Sequence, residues 1–168
     1  MGKRDFTTDD ATTRDLLLYG RDHIKAAITL AKTNDASLYD SAAFLYHLGL
    51  EMILKTILLH ESGKFQDEHK LVVLAENINK YKNGLISNGL MTKYDALDQF
   101  WNIKYPNRKI PVEIGDDDFI EFENMINATW ELVAVDVRES IFQHEESKFF
   151  DTEVVEKGGR ILMERPIL

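Results

Sequence analysis

The chain has 168 residues, of which 44% are hydrophobic and 29% are charged, and it contains no cysteine. These values are typical of one soluble globular domain and exclude disordered, collagen-like and disulfide-rich proteins. With 20 basic against 29 acidic residues, the formal net charge is −9, so we expect no sequence-independent binding of DNA.

The N-terminal residues contain no apolar segment of the kind that a secretory signal has. The most apolar stretch, residues 41–59, is interrupted by three ionisable groups, His47, Glu51 and Lys55. A membrane span would tolerate these groups only at a high energetic cost. We therefore expect a cytoplasmic protein that does not bind a membrane.

Helical periodicity predicts a first helix over about residues 12–33, preceded by Thr and Asp residues that can cap it. A second helix is expected from about Ser37 to Ser62, with Gly63 placed to end it. Apolar side chains cover nearly every face of the second helix. It should therefore be the central helix of a bundle.

Three further helices are predicted: a short third one between His69 and Gly84, a fourth over about residues 92–103, and a fifth from Asp116 past Val137. Two prolines between residues 104 and 115 force a loop between the fourth and fifth helices. Three consecutive aspartates begin the fifth helix. We interpret them as an N-cap with first-turn charges rather than as a metal site.

The C-terminal residues have a different pattern. Apolar pairs around Val154 and Leu162 flank two glycines, which predicts a β-hairpin that packs on the bundle or on a second subunit. The fold class is therefore all-α. We expect an up-and-down bundle of about five helices over residues 1–142, followed by a hairpin-like or extended tail over residues 143–168.

The sequence does not contain the motifs of several common enzyme classes. The Rossmann, P-loop and nucleophile-elbow motifs are absent, and neither His-Glu pair continues to a zinc-binding H-E-x-x-H motif. None of the five histidines has the Glu-x-x-His spacing of di-iron bundles. We therefore expect no metal and no cofactor, and a binding role rather than an enzymatic one.

The three ionisable residues of the second helix form what we call the polar stripe: His47, Glu51 and Lys55. Their spacing of four places them along one edge of the helix, and Glu before Lys at this spacing favours an ion pair. The polar stripe is interpreted either as a paired ladder that fixes helix docking or as a ligand-facing surface.

Residues 41–59 resemble the second helix of HEPN domains, with small residues at the start, then His47, Glu51 and a Leu-Lys pair. Residues 68–75 are similar to the Gly-His-x-Leu-x-x-Leu segment that opens the family's third helix. The Lys-Tyr-Pro at residues 104–106 is similar to the Arg-Tyr-Pro that follows its fourth. Two positions differ, because Glu68 replaces a glycine and Lys104 replaces an arginine.

The resemblance implies a small helical bundle, expected here as a homodimer. Some HEPN domains accompany nucleotidyltransferases and help to bind the nucleotide. For this chain we expect a non-catalytic module that binds a nucleotide-like ligand, a nucleotidyltransferase partner, or both. Its expected ligand contacts are His47, Glu51, Lys55, His69, Lys104, Tyr105 and Arg108. Of these, Lys55 and Arg108 would meet phosphate and Tyr105 would cover the base.

Other HEPN domains are metal-independent ribonucleases of toxin–antitoxin and defence systems, which carry an Arg followed after four to six residues by a His. Arg138 and His144 fit this spacing and are the candidate catalytic residues of that alternative, in which RNA is the substrate. The neighbouring acidic residues would repel an RNA backbone. A third alternative is a dimeric structural bundle with no small-molecule site.

Overall fold

The computed structural model describes residues 4–100 and 114–141, and the backbone of residues 153–157 and 160–164. These residues form six α-helices, a 3-10 turn and two small antiparallel sheets, which confirms the all-α class. The elements are β1 (Asp5–Thr7), α1 (Thr13–Ala31), the 3-10 turn (Ala36–Leu38), α2 (Tyr39–Ser62), β2 (Lys64–Gln66), α3 (Leu71–Tyr81), α4 (Asn88–Asp98), α5 (Asp116–Trp130), α6 (Val135–Glu139), β3 (Glu153–Lys157) and β4 (Arg160–Glu164).

Helix α2 is the central helix of the bundle, as its apolar composition predicts, and it packs against α1, α3 and α5. Within the described chain, the stretch Ala36–Ser62 is long and apolar enough to cross a membrane, but 78% of its most apolar window is buried inside the protein. That burial is typical of the core helix of a soluble domain. Gly63 ends α2 in the left-handed conformation, at φ 74°, as expected.

Helices α1 and α2 cross at two glycines. A Cβ atom on Gly49 would lie 2.5 Å from Ile24 Cγ1, and one on Gly20 would lie 3.0 Å from the Gly49 carbonyl oxygen. Side chains larger than hydrogen would therefore push the two backbones apart. Glycine at these positions therefore permits close packing of α1 against α2.

Helix α3 runs parallel to α2, which departs from simple alternation of helix direction. His69, just before α3, lies 3.2 Å from Glu51 in the middle of α2, whereas Lys82, just after α3, lies 3.0 Å from Glu61 near the end of α2. Both helices therefore point the same way, because residues 63–70 return along α2 before α3 begins. Helix α4 then runs antiparallel to α3, since Asp98 at its end meets the start of α3.

Helices α4 and α5 differ from the predicted ones, and α4 ends at Asp98 instead of about residue 103. Helix α4 begins at Asn88 instead of residue 92, because the Ser87 hydroxyl caps it by accepting a hydrogen bond from the Leu90 amide at 3.3 Å. Helix α5 ends at Trp130, and a turn separates it from α6. The sequence pattern did not show this break, because Val133 and Val137 are both buried and continue the helical periodicity.

The aspartates at the start of α5 act on the helix terminus, as interpreted. The Asp118 carboxylate accepts a hydrogen bond from the Gly115 amide at 2.8 Å, although Gly115 rather than an aspartate is the N-cap residue. Asp116 accepts a hydrogen bond from the Tyr39 hydroxyl, and this bond raises the pKa of Tyr39 above its ordinary value. The first turn thus joins α5 to the beginning of α2.

The two sheets are short. The strands β3 and β4 pair antiparallel, with Val154 opposite Met163, which confirms the predicted hairpin. How the hairpin packs stays a prediction. The pairing of β1 with β2 was not predicted, and it places Phe6 opposite Phe65. This second pairing fixes the N-terminal residues to the segment that follows α2.

Candidate functional site

The polar stripe lies inside the bundle. His47 is 0% exposed, Glu51 is 1% exposed and Lys55 is 5% exposed. All three point away from the glycine crossing with α1 and toward the segment before α3 and the end of α4, as their contacts show. The stripe is therefore buried polar structure, which is stable only when its groups are paired.

The carboxylate of Glu51 pairs with two bases. The Lys55 ammonium donates to Glu51 Oε1 at 2.7 Å, and the same oxygen lies 3.2 Å from His69 Nδ1. Lys55 Nζ also lies 5.5 Å from the ring centroid of Phe65, a cation–π distance. The ion pair predicted from the spacing of four is therefore present, and it is almost completely desolvated.

Asp98, at the end of α4, links His47 to the start of α3. Its Oδ1 lies 3.0 Å from His47 Nε2 and accepts a hydrogen bond from the Leu71 amide at 2.8 Å, while its Oδ2 accepts from the Val72 amide at 3.2 Å. Because a carboxylate in this position accepts at both oxygens, Nε2 of His47 is the donor. Asp98 thus caps α3 from another helix and holds the His47 ring.

The polar stripe, Asp98 and His69 together form what we call the polar network, and His69 is the residue through which it reaches the surface. Its side chain is 46% exposed, and its ring lies between two carboxylates, with Nδ1 near Glu51 and Nε2 at 3.5 Å from Asp67. Among the predicted ligand contacts that the structure describes, His69 is the one that solvent reaches readily. The structure brings His69 together with the stripe, although 18 residues separate it from Glu51.

Glu68 explains one departure from the HEPN pattern. Its carboxylate Oε1 accepts hydrogen bonds from the backbone amides of His69 at 2.9 Å and Lys70 at 3.0 Å. Glu68 therefore stabilises the turn before α3, where the family usually has glycine. Neither Glu68 nor Asp98 was predicted as part of the network. Asp98 gives no local signal, because its backbone partners lie 26 and 27 residues away.

Three predicted ligand contacts, Lys104, Tyr105 and Arg108, lie outside the described residues. Their segment follows Phe100, which is 8% exposed in the core two residues after Asp98. Their roles at phosphate and base stay predictions.

The two candidate ribonuclease residues are described only in part. Arg138 lies on α6, where its guanidinium donates to Glu131 at 2.9 Å and its side chain is 17% exposed. His144 lies outside the described residues, so the distance between the two stays untested. The ion pair of Arg138 uses one of its guanidinium nitrogens, and the partner Glu131 is 71% exposed.

The described residues line two surface clefts of about 200 Å³ each. One lies between the ends of α2 and α3, where Lys64, Lys80 and Tyr81 surround it. The other lies between the end of α1 and the start of α5, near Lys32 and Ile120. Neither cleft is lined by a residue of the polar stripe or by His69.

The comparisons with known proteins identify the family. No curated protein and no solved structure matches the chain. A family model described as the HEPN domain matches residues 13–140, which span α1 to α6 and include the polar stripe, His69 and Asp98. This match covers most of the sequence, and the chain belongs to the HEPN domain family.

Proposed function

We propose that this chain is a non-catalytic HEPN module that binds a nucleotide-like ligand, a nucleotidyltransferase partner, or both, where the polar network reaches the surface at His69. The observation that carries the proposal is the continuous chain of contacts from buried Lys55 through Glu51 to His69. An apolar core helix needs no such chain for its own stability, because a hydrophobic pair packs as well as a buried ion pair.

The charge of the chain supports a small ligand or a protein partner over RNA. A net charge of −9 repels a polyphosphate backbone. A nucleotide needs a few cations at one place instead of a basic surface. Lys55 supplies one such cation in the network, and Lys104 and Arg108 are the predicted others.

The state of Arg138 supports a non-catalytic role. Its guanidinium is paired with Glu131, and the neighbouring Glu139 occupies the position where ribonucleases of the family commonly have asparagine. The ribonuclease alternative therefore has less support than the binding role. A cytoplasmic location and a homodimer remain parts of the proposal.

A structural bundle without a ligand site is the second candidate. The burial and mutual pairing of the polar stripe favour it, because they fix how α2, α3 and α4 dock. The two candidates differ at His69. In a purely structural network the His69 imidazole only pairs with carboxylates, whereas in a binding site it is also a group that a ligand can reach.

Calorimetric titration of the full chain with each of the four nucleoside triphosphates tests the proposal. We expect saturable heat, and we expect His69→Ala to weaken the affinity about tenfold, the effect of losing one hydrogen bond to a charged group. His60→Ala is the matched control, because His60 is an exposed histidine at the end of α2. No heat with any nucleotide would leave the structural bundle or the protein partner as the function.

A further inference from the structure

We infer that residues 64–69 form a lid over the buried Lys55–Glu51 ion pair, and that β1 holds this lid closed. This inference concerns the regulation of the site, and its consequence for ligand binding rests on the proposed function. The lid is the segment that returns along α2 between Gly63 and α3.

The lid covers both charges of the pair with its own side chains. Phe65, near one end, lies over Lys55 with 5.5 Å between Nζ and the ring centroid. His69, at the other end, places Nδ1 3.2 Å from Glu51 Oε1. Phe65 is 6% exposed and Lys55 is 5% exposed, so the pair is desolvated while this segment lies in place.

Residues 4–7, which include β1, hold the lid from outside, and we call them the clamp. The Phe6 ring stacks on Phe65 with a centroid distance of 5.2 Å and an angle of 8° between the planes. Asp5 pairs with Lys64 at 3.0 Å, and the Asp67 amide donates to the Arg4 carbonyl oxygen at 3.1 Å. The clamp therefore contacts the lid at three successive places.

The clamp is also easy to release. The strand β1 and its partner β2 in the lid have three residues each, and an isolated two-stranded ribbon is marginally stable in water. Its ion pair is half-exposed, with 52% of the Lys64 side chain and 41% of the Asp5 side chain accessible, and such pairs stabilise weakly. At one end of the lid, Gly63 has φ 74°, and nothing lies within 4 Å of the position a Cβ would occupy. That residue can absorb a change of backbone direction.

Opening the lid would uncover one ammonium and one carboxylate on a rigid helix. Lys55 could then exchange Glu51 for an anionic phosphate group, and Glu51 would stay available to a hydroxyl or amino group of the same ligand. A nucleotide carries all of these groups. Burial of Lys55 in the closed state is therefore compatible with a role at phosphate.

A disulfide across the clamp tests the lid directly. Asp5 and Gln66 are register partners of β1 and β2, and the natural chain has no cysteine, so Asp5→Cys with Gln66→Cys gives one defined cross-link. Acetylation of Lys55 is followed by mass spectrometry in the oxidised and reduced protein, with exposed Lys32 as the internal reference. We expect oxidation to slow the labelling of Lys55 about fivefold or more relative to Lys32.

A second variant loosens the clamp. Phe6→Ala removes the ring that stacks on Phe65 and should speed the labelling of Lys55 about fivefold. Tyr19→Ala is the control, because Tyr19 is a 65% exposed aromatic residue on α1. It should leave the Lys55 rate unchanged.

Equal Lys55 rates in the oxidised and reduced protein would overturn the lid, whatever the nucleotide titration shows. Slower labelling on oxidation without nucleotide heat in either state would support the lid and count against the proposed nucleotide site. Slower labelling together with weaker nucleotide binding on oxidation would support both. Slower labelling with equal nucleotide affinity would overturn the lid as the gate of the site.

Discussion

The two faces of α2 pack against their neighbours in different ways. Against α1, the helix is held by the crossing of Gly20 and Gly49, where backbone meets backbone. Against α3 and α4 it presents His47, Glu51 and Lys55, which are buried and paired. The first face depends on shape and the second on charge pairing, so substitutions should affect them by different mechanisms.

This difference bears directly on the proposed function. Close apolar packing is sufficient for stability, and α2 achieves it on the α1 side. In a buried ion pair, Coulombic attraction offsets the free-energy cost of desolvation, and the pair is often no more stabilising than a hydrophobic pair. Under the proposed function this polar face serves ligand binding, whereas in a structural bundle it fixes how α2, α3 and α4 dock.

The largest effect is expected from breaking the buried ion pair. Glu51→Ala leaves the Lys55 ammonium without its carboxylate in the core, and the free energy of unfolding should fall by about 3–5 kcal/mol. Glu61→Ala on the same helix is the control. Its partner Lys82 is 54% exposed, so the loss should stay below about 1 kcal/mol. Urea unfolding measures the loss for each variant. Equal losses would show that the buried pair stabilises the protein no more than the exposed one.

A somewhat smaller effect is expected at the cap that joins α4 to α3. Asp98→Ala removes the acceptor of two backbone amides and of His47, which should cost about 2–3 kcal/mol. Asp98→Asn keeps one acceptor oxygen and should cost less. Asp95→Ala, at an exposed position on the same helix, is the control in urea unfolding. A loss for Asp98→Ala no larger than that for Asp95→Ala would contradict the cap.

The glycine face should respond to size alone. Gly49→Ala places a methyl group 2.5 Å from Ile24 Cγ1 and should destabilise the bundle by about 1–3 kcal/mol. Gly89→Ala is the matched control, because nothing lies within 4 Å of its Cβ position inside α4. That substitution should stabilise the protein by up to about 1 kcal/mol. Thermal unfolding would refute the crossing if both changes moved the midpoint in the same direction.

The smallest effect on stability is expected at a buried hydrogen bond between two uncharged side chains. The Tyr94 hydroxyl lies 2.6 Å from Thr129 Oγ1, and Tyr94→Phe should cost about 1 kcal/mol at neutral pH. Burial raises the pKa of Tyr94 above its ordinary value of 10.0. The folded state therefore holds the proton more tightly, so this residue's contribution to stability is present below pH 10.0 and is lost as the pH rises above it.

Urea unfolding between about pH 9 and pH 11 checks the sign of this effect. Above the ordinary pKa, the natural protein should lose stability more steeply than Tyr94→Phe, by up to about 1.4 kcal/mol per pH unit. Parallel pH profiles would contradict the shifted pKa of Tyr94.

Local patterns in the sequence predicted helices α1 to α5, the Gly63 stop, the C-terminal hairpin and the Glu51–Lys55 pair, but not the break before α6. Each of these predicted features depends on neighbours a few residues apart. The cap from Asp98 and the pairing of Phe6 with Phe65 join residues far apart in the chain, and no local pattern marks them. The parallel direction of α3, which the His69–Glu51 and Lys82–Glu61 contacts show, was not predicted either. The sequence therefore pointed to the residues on α2 and to His69, and it missed Glu68 and Asp98.

On the proposed function, the Lys55–Glu51 pair serves ligand binding and is replaceable for stability. Titration of ATP into the double variant Glu51→Leu with Lys55→Met tests this claim most directly, after urea unfolding has shown its stability. We expect a free energy of unfolding within about 1 kcal/mol of that of the natural protein or above it, together with loss of the saturable heat expected of the natural chain. A folded double variant that binds ATP with the affinity of the natural protein would show that the pair does not serve nucleotide binding.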